Sequence, residues 1–260
     1  MEFLRSAPRT DLHCSVSQVR SMQSCGKRFE YRYILGAEAE HRSPNLVLGS
    51  AVHEALASYY GSIRNGRVPV AEGVMAAFSD AFDEEIAKEP AVLLEEGQTA
   101  GELKDEGVRL VEAFLRDVKP PDRVFSVESA FACDVVTPET GEVLEEQLVG
   151  YLDAVVEDAG RLVVLEHKTA ARAWSADQLE HDLQVSLYAA VTGADLVRLQ
   201  VATKTKVPKL LTYDLTRTEK AQVEAVSVVC QVLKAIRAGA FWHSRGWQCK
   251  DCEFRARCAA

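Results

Sequence analysis

The chain has 260 residues, enough for one large domain or two small ones. Its 47% hydrophobic and 27% charged residues are ordinary for a soluble globular protein, and no apolar run reaches the roughly 20 residues of a membrane helix. The opening MEFLRSAPRT lacks the long apolar stretch of a secretory signal, so a cytoplasmic protein with no membrane partner is expected.

The net charge of −9 is unevenly placed. Residues 72–117 hold 13 acidic against 4 basic residues, and the rest of the chain is balanced at 26 of each. A solvated acidic helical face therefore accounts for the whole excess. Basic residues gather elsewhere in four groups: Arg20, Lys27, Arg28 and Arg32; Lys168 and Arg172; Arg198, Lys204, Lys206 and Lys209; and Arg245, Lys250, Arg255 and Arg257. Converged in space they would line a phosphate track, with Arg28, Lys204 and Arg245 as candidate DNA contacts.

In chain order, Ser15 or Ser17 caps a first helical segment, SVSQVRSMQSCGKRFEYRYIL. From Asn45 to Arg64 the pattern is an amphipathic helix with Val47, Ala51, Ala55 and Tyr59 on one side. Two more helices are predicted over 71–88 and 98–118, the second stopped by Pro120 and Pro121. Alternation then replaces helical spacing. Residues 124–136 read as a strand, a turn at Pro138–Gly141 returns the chain through a strand at 145–157, and Asp158-Ala159-Gly160 turns it into an apolar strand at 161–168. A helix over 175–192, strands at 196–203 and 209–215, and a helix capped by Thr216 or Thr218 and running to Ala238 follow. The tail, FWHSRGWQCKDCEFRARC, is loop-like. No repeat or linker interrupts this order, so a single α/β domain over 1–260 is expected: a mixed sheet flanked by helices, with a helical region inserted at 45–120 and a core at 122–240.

The stretch VGYLDAVVEDAGRLVVLEHKT is the most informative. Glu166 and Lys168 are two apart on one strand and share a face, and pairing across the hairpin can bring Asp153 beside them. An acid and a lysine at the end of a run suited to a buried strand need a reason. One reason is phosphodiester chemistry. Close carboxylates repel, a divalent cation such as Mg²⁺ or Mn²⁺ relieves them, and the lysine orients a water or stabilises transition-state charge. The other is a plain surface ion pair, and such triplets are common. His53, in GSAVHE, can add an imidazole to a metal site or simply stand on a helix face. Gln184 and Tyr188, four apart on the helix that follows, share a side.

Gly49-x-x-x-His53, Gly150-Tyr-Leu-Asp153, Glu166-His-Lys168-Thr169 and Gln184-x-x-x-Tyr188 occur in the order and approximate spacing of the RecB-like PD-(D/E)XK nucleases, and the opening from Ser15 resembles theirs. The likeness runs from about Ser15 to Cys258. It implies a restriction-endonuclease-like sheet. It also implies that His53, Asp153 and Glu166 bind the metal, joined by the carbonyl of His167, with Lys168 as catalytic lysine and Gln184 and Tyr188 positioning DNA or the active site. His167 departs from the apolar or aromatic residue usual there, and its side chain should face away from Glu166 and Lys168.

Seven cysteines in such a chain do not read as a disulfide scaffold. Cys249-x-x-Cys252 with Cys258 leaves a four-thiolate site one short, and the spacing suits zinc or a [4Fe–4S] cluster equally. Cys14, Cys133 and Cys230 read as small hydrophobes. The resemblance supplies Cys25 as the fourth ligand and favours iron–sulfur, being similar to the C-terminal staple of the AddB nuclease domain, the exonuclease V type and the CRISPR-associated RecB-like nucleases. Around the staple, basic residues alternate with Trp242, Trp247 and Phe254, a mixture that suits a single strand. Trp247 and Phe254 are expected instead to pack around the cluster.

The expectation is a Mg²⁺- or Mn²⁺-dependent deoxyribonuclease, a single-strand exonuclease of recombination, repair or CRISPR adaptation. No G-x-x-x-x-G-K-[ST] motor motif occurs, so any helicase or adaptation protein would be a partner. The alternatives are a non-catalytic DNA-binding subunit of a helicase–nuclease complex and a zinc-stapled binding module.

Overall fold

Caps and prolines set where the elements begin, and a computed structural model describes residues 4–6 and 12–259. In order these are β1 (Leu4–Ser6), β2 (His13–Ser15), α1 (Val16–Ser24), α2 (Gly26–Phe29), a π-helical turn (Glu30–Ile34), α3 (Pro44–Arg64), α4 (Ala71–Ile86), α5 (Ala100–Asp117), β3 (Arg123–Val136), β4 (Val143–Asp158), β5 (Arg161–Ala170), α6 (Ala176–Glu180), α7 (Leu183–Thr192), β6 (Leu196–Thr203), β7 (Leu210–Leu215), α8 (Glu219–Arg237), a 3₁₀ turn (Trp247–Cys249) and α9 (Arg255–Ala259). Ser15 with Gln18 and Thr99 with Glu102 form reciprocal capping boxes at α1 and α5. Among the described residues the strands make one seven-stranded mixed sheet in the order β1-β3-β4-β5-β6-β7, with β2 beside β4, and helices flank it.

Two differences from the sequence pattern have local causes. The three-residue β1 and β2 are too short to show alternation. The helix expected over 175–192 is two helices, because the Asp182 side chain accepts from the Val185 N–H and caps α7 afresh after α6 ends at Glu180. That connection is what lets β5 and β6 run parallel, since parallel neighbours need a crossover.

The chain forms two compact units, and β3 and β4 contribute residues to both. One comprises residues 42–129 and 151–217. Its core joins α3, α4 and α5 to the sheet through Leu48, Phe78, Phe82, Leu110 and Phe114, all fully buried. β5 is buried from Val163 to His167, which explains its unbroken apolar run. Gly107 on α5 lets three helices meet closely: a Cβ there would lie 2.1 Å from Phe78 Cζ and 2.7 Å from Leu48 Cδ1. Gly107→Ala is therefore expected to lower stability by about 1–3 kcal/mol through overpacking, even though alanine is the better helix former. A urea melt in which this variant matches or exceeds the parent would refute that packing.

The other unit comprises residues 1–41, 130–150 and 218–260, within the described range. Here the early and late parts of the chain meet. A Cβ on Gly26 would come 2.7 Å from the Trp242 nitrogen, and the Lys27 N–H donates to the Trp242 carbonyl at 3.1 Å. Buried Glu253 accepts from Arg28 at 3.0 Å and Arg32 at 2.6 Å, tying the tail to α2 and the turn after it. Cys14, Cys133 and Cys230 are buried. No described helix is long and apolar enough to cross a membrane.

Candidate metal centre

The centre is built where α3, β3, β4 and β5 present polar side chains within the first unit. His53 projects from α3 just off its buried face, and its Nδ1 lies 3.4 Å from Asp153 Oδ1. The other carboxylate oxygen, Oδ2, accepts the His167 backbone N–H at 2.7 Å, so the hairpin orients Asp153 directly. Glu128, on β3, completes a group with these two: one ligand atom from each of His53, Glu128 and Asp153 lies within 4.8 Å of the others. Octahedral ligands at about 2.1 Å from an ion sit roughly 3–4.2 Å apart, so small movements close this group onto a hard divalent cation. Glu128 holds φ at +47°, a left-handed backbone inside a strand. Such a conformation costs on the order of 1–3 kcal/mol in a residue with a side chain.

Glu166 is 1% exposed. One of its oxygens accepts from Lys168, while Oε2 is buried without a hydrogen-bond partner. A buried, unpartnered carboxylate oxygen is what a metal ligand looks like in the absence of its cation. Glu166 does not join the tight group of three, so the structure brings His53 and Asp153 together as expected and adds Glu128, which sequence reading had missed. The alternation around Glu128 resembles that of any strand, and its backbone conformation is invisible in the sequence.

Lys168 is held from the far side. Its Nζ donates to Gln184 Oε1 at 3.0 Å, Gln184 Nε2 donates to the Tyr188 hydroxyl at 2.7 Å, and that hydroxyl donates to the Tyr151 carbonyl at 2.6 Å. The two α7 residues thus hold the lysine side chain in place. His167 faces away from Lys168, stacked on Tyr60 at 5.4 Å and edge-on to Phe114, as expected of the residue between Glu166 and Lys168.

Charges shift accordingly. Burial and the neighbouring Asp153 push Glu166 up to about 7. Partial desolvation of the Glu128 carboxyl and the Asp153 charge push it to about 7 as well, although the residue as a whole is exposed. Burial works against ionised Asp153, but His53 and the His167 N–H outweigh it and hold that carboxyl low. Burial likewise opposes the His53 imidazolium, and Asp153 more than compensates, raising its pKa. Burial lowers His167 to about 4, so it is neutral. One carboxylate is thus held ionised while two hold protons readily displaced by a cation.

The basic residues divide. Arg198 is not free for phosphate: it is clamped by Asp158 at 2.5 Å and Asp214 at 2.6 Å. Arg28 is committed to Glu253, and Lys204 donates to Asn45, with burial lowering its pKa. Arg245 is exposed and carries no carboxylate partner among the described residues.

In the other unit, Cys25, Cys249, Cys252 and Cys258 line one cavity of about 400 Å³. Lys27, Arg28, Arg245, Lys250 and Arg255 line it too, and among the described residues no carboxylate does. A centre of four thiolates is anionic, and cations nearby favour it, although burial raises the pKa of the Cys252 thiol. The four sulfurs do not close to 4.8 Å spacing, whereas a tetrahedral zinc at about 2.3 Å from each sulfur needs edges of roughly 3.8 Å. Cys258 Sγ lies 3.5 Å from His243 Nδ1. Phe254 packs here, 1% exposed, but Trp247 does not: it is 90% exposed, contrary to expectation, because the 3₁₀ turn points it away from the interior.

No curated protein matches this chain by sequence. Among solved structures, a protein described as "Putative exonuclease" from Eubacterium rectale is similar in fold, with a TM-score of 0.52 at 15% identity, covering 94% of this chain and 87% of that one. SSO0001 also matches, with a TM-score of 0.39 at 14% identity over 92% of this chain and 93% of its own. The family model of the PD-(D/E)XK nuclease superfamily matches residues 13–259. With nearly its whole length matched, the chain belongs to the PD-(D/E)XK nuclease superfamily.

Proposed function

We propose that the chain is a divalent-metal-dependent deoxyribonuclease, a single-strand exonuclease hydrolysing phosphodiester bonds in recombination, repair or CRISPR adaptation. The observation that carries this reading is a buried Glu166 with an unpartnered oxygen beside a lysine locked in place by Gln184 and Tyr188. His53, Glu128, Asp153 and Glu166, with the His167 carbonyl, would hold Mg²⁺ or Mn²⁺. When bound, that ion polarises the scissile phosphate and makes a water nucleophilic. Asp153, held ionised, supplies a fixed negative ligand. Lys168 stays a positioned cation that orients the attacking water and offsets charge as the phosphorus becomes five-coordinate. The intact set of Asp153, Glu166 and Lys168 argues against a purely DNA-holding subunit.

Cys25, Cys249, Cys252 and Cys258 would hold a [4Fe–4S] cluster, a reading supported by their place on one shared cavity and by the resemblance of their order and spacing to the iron–sulfur staple of RecB-like nucleases. Since the family match runs through both compact units, we take the chain as one nuclease domain, acting in the cytoplasm with a helicase or an adaptation protein supplying strand separation.

The test is cleavage of end-labelled single-stranded DNA by anaerobically purified protein with Mn²⁺, Mg²⁺ or EDTA. Release of short products from one end, only with metal, is expected. Metal-loaded protein that leaves the strand intact would remove the stand-alone enzyme.

A further inference from the structure

The catalytic centre makes no use of the most exposed large hydrophobic side chain among the described residues. Trp247 is 90% exposed, while Phe254, seven residues on, is 1% exposed and, with buried Glu253, anchors the segment. The backbone that carries the ring is fixed. Cys249 N–H donates to the Gly246 carbonyl at 3.1 Å, Lys250 N–H to the Trp247 carbonyl at 3.2 Å, and the Gln248 amide to the Ser244 carbonyl at 2.6 Å. A large apolar ring presented to water from a braced turn gains nothing from the fold that presents it.

Its surroundings identify the occupant. Arg245 and Lys250 stand on either side of Trp247 in sequence, both exposed and without a carboxylate partner among the described residues. They line a cavity with five cationic residues and, among the described residues, no acid, in a chain whose net charge is −9. Trp242, five residues earlier, is 50% exposed. An apolar protein surface would be poorly matched to paired cations at its rim, whereas phosphates and the face of an unstacked base fit both features. In a duplex the base faces are already covered. We propose that Trp247, flanked by Arg245 and Lys250, is a stacking site for a base of single-stranded nucleic acid. It deepens the reading of the chain as a nuclease on single strands, and it rests on that reading for its purpose.

The experiment uses the full chain with its cysteine centre loaded, in Ca²⁺ to hold back cleavage, and follows anisotropy of a labelled oligothymidylate and of a blunt duplex. Trp247→Ala is expected to weaken the single strand roughly 5- to 150-fold while duplex binding stays level, and Trp247→Phe to keep most of the affinity. In a Trp174→Phe, Trp242→Phe background, Trp247 emission should be quenched by the oligomer, a readout that needs no alanine variant to fold. Unchanged single-strand affinity, or equal loss for single strand and duplex, would overturn the site. So would unchanged DNA binding accompanied by loss of a self-associated state, which would mark a protein contact. Hydrolysis of bis(p-nitrophenyl) phosphate, which has no base to stack, reports the catalytic reading separately: Trp247→Ala should retain it, and its absence from the parent would count against the nuclease alone.

Discussion

Glu166→Gln is expected to abolish metal-dependent cleavage, by on the order of 10³-fold or more, and at the same time to make the metal-free protein more stable. The second half follows from the charge. An ordinary glutamate ionises near 4.5, but folded Glu166 keeps its proton up to about 7. A group whose folded pKa is raised contributes stability that is fully present at low pH and lost as pH rises through about 7. At pH near 8 the folded protein therefore bears a buried carboxylate that glutamine does not have, at a cost of about 1–3 kcal/mol. Glutamine still offers Lys168 an acceptor. In EDTA its melting temperature should exceed the parent's by roughly 2–8 °C at that pH, with the difference shrinking as the pH is lowered. Saturating Mn²⁺ should raise the parent's melting temperature and leave the variant's nearly unmoved, and the parent's affinity for Mn²⁺ should rise with pH through about 7 as protons are displaced. A variant that cleaves at the parent's rate would show that Glu166 is not at the reacting centre. One that is less stable in EDTA at pH near 8 would show that the buried charge is better compensated than its unpartnered oxygen indicates.

Cys252→Ser is expected to abolish binding of the metal centre proposed for the four cysteines and to loosen the tail. Residues 25 and 249 bound through one centre close a loop of about 225 residues. On the chain-entropy model such a cross-link lowers unfolded-state entropy by up to roughly 5 kcal/mol at 25 °C. The Glu253 pairs with Arg28 and Arg32 and the Gly26–Trp242 approach would remain, so the tail should fray rather than the whole chain unfold. Iron, sulfide and zinc analysis, sulfur-to-iron absorbance and limited proteolysis after Ala238 read the outcome together. Equal metal content and equal protease resistance in parent and variant would dismiss the staple, and zinc without iron would keep the staple and change its metal.

Much of this is legible in the amino-acid sequence. The hairpin Asp153–Lys168 was readable because β5 must be buried on both faces, which makes a terminal Glu and Lys conspicuous against Val163, Val164 and Leu165. The helices α3 to α5 were readable from their apolar spacing and from the Thr99 cap. Three things were not. Glu128 joins the candidate metal group with a positive φ that no residue type announces, since glycine or asparagine would be the usual signal. Arg198 reads as part of a basic cluster because its partners, Asp214 on the adjacent β7 and Asp158 on β4 two strands away, are not its neighbours in sequence. Trp247 looked like cluster packing because a short turn can aim a ring inward or outward at equal sequence cost.

The row of hydrogen bonds behind Lys168 has a polarity. At one end an ammonium can only donate, and at the other the Tyr151 carbonyl can only accept, so the Gln184 amide and the Tyr188 hydroxyl have a single orientation that satisfies every member. No proton can travel toward the lysine along such a row without first breaking it. Any proton Lys168 exchanges must pass on the open side, beside Glu166. The row therefore acts as a one-way stop that closes the far side of this nitrogen to proton exchange and leaves the Glu166 side as the route.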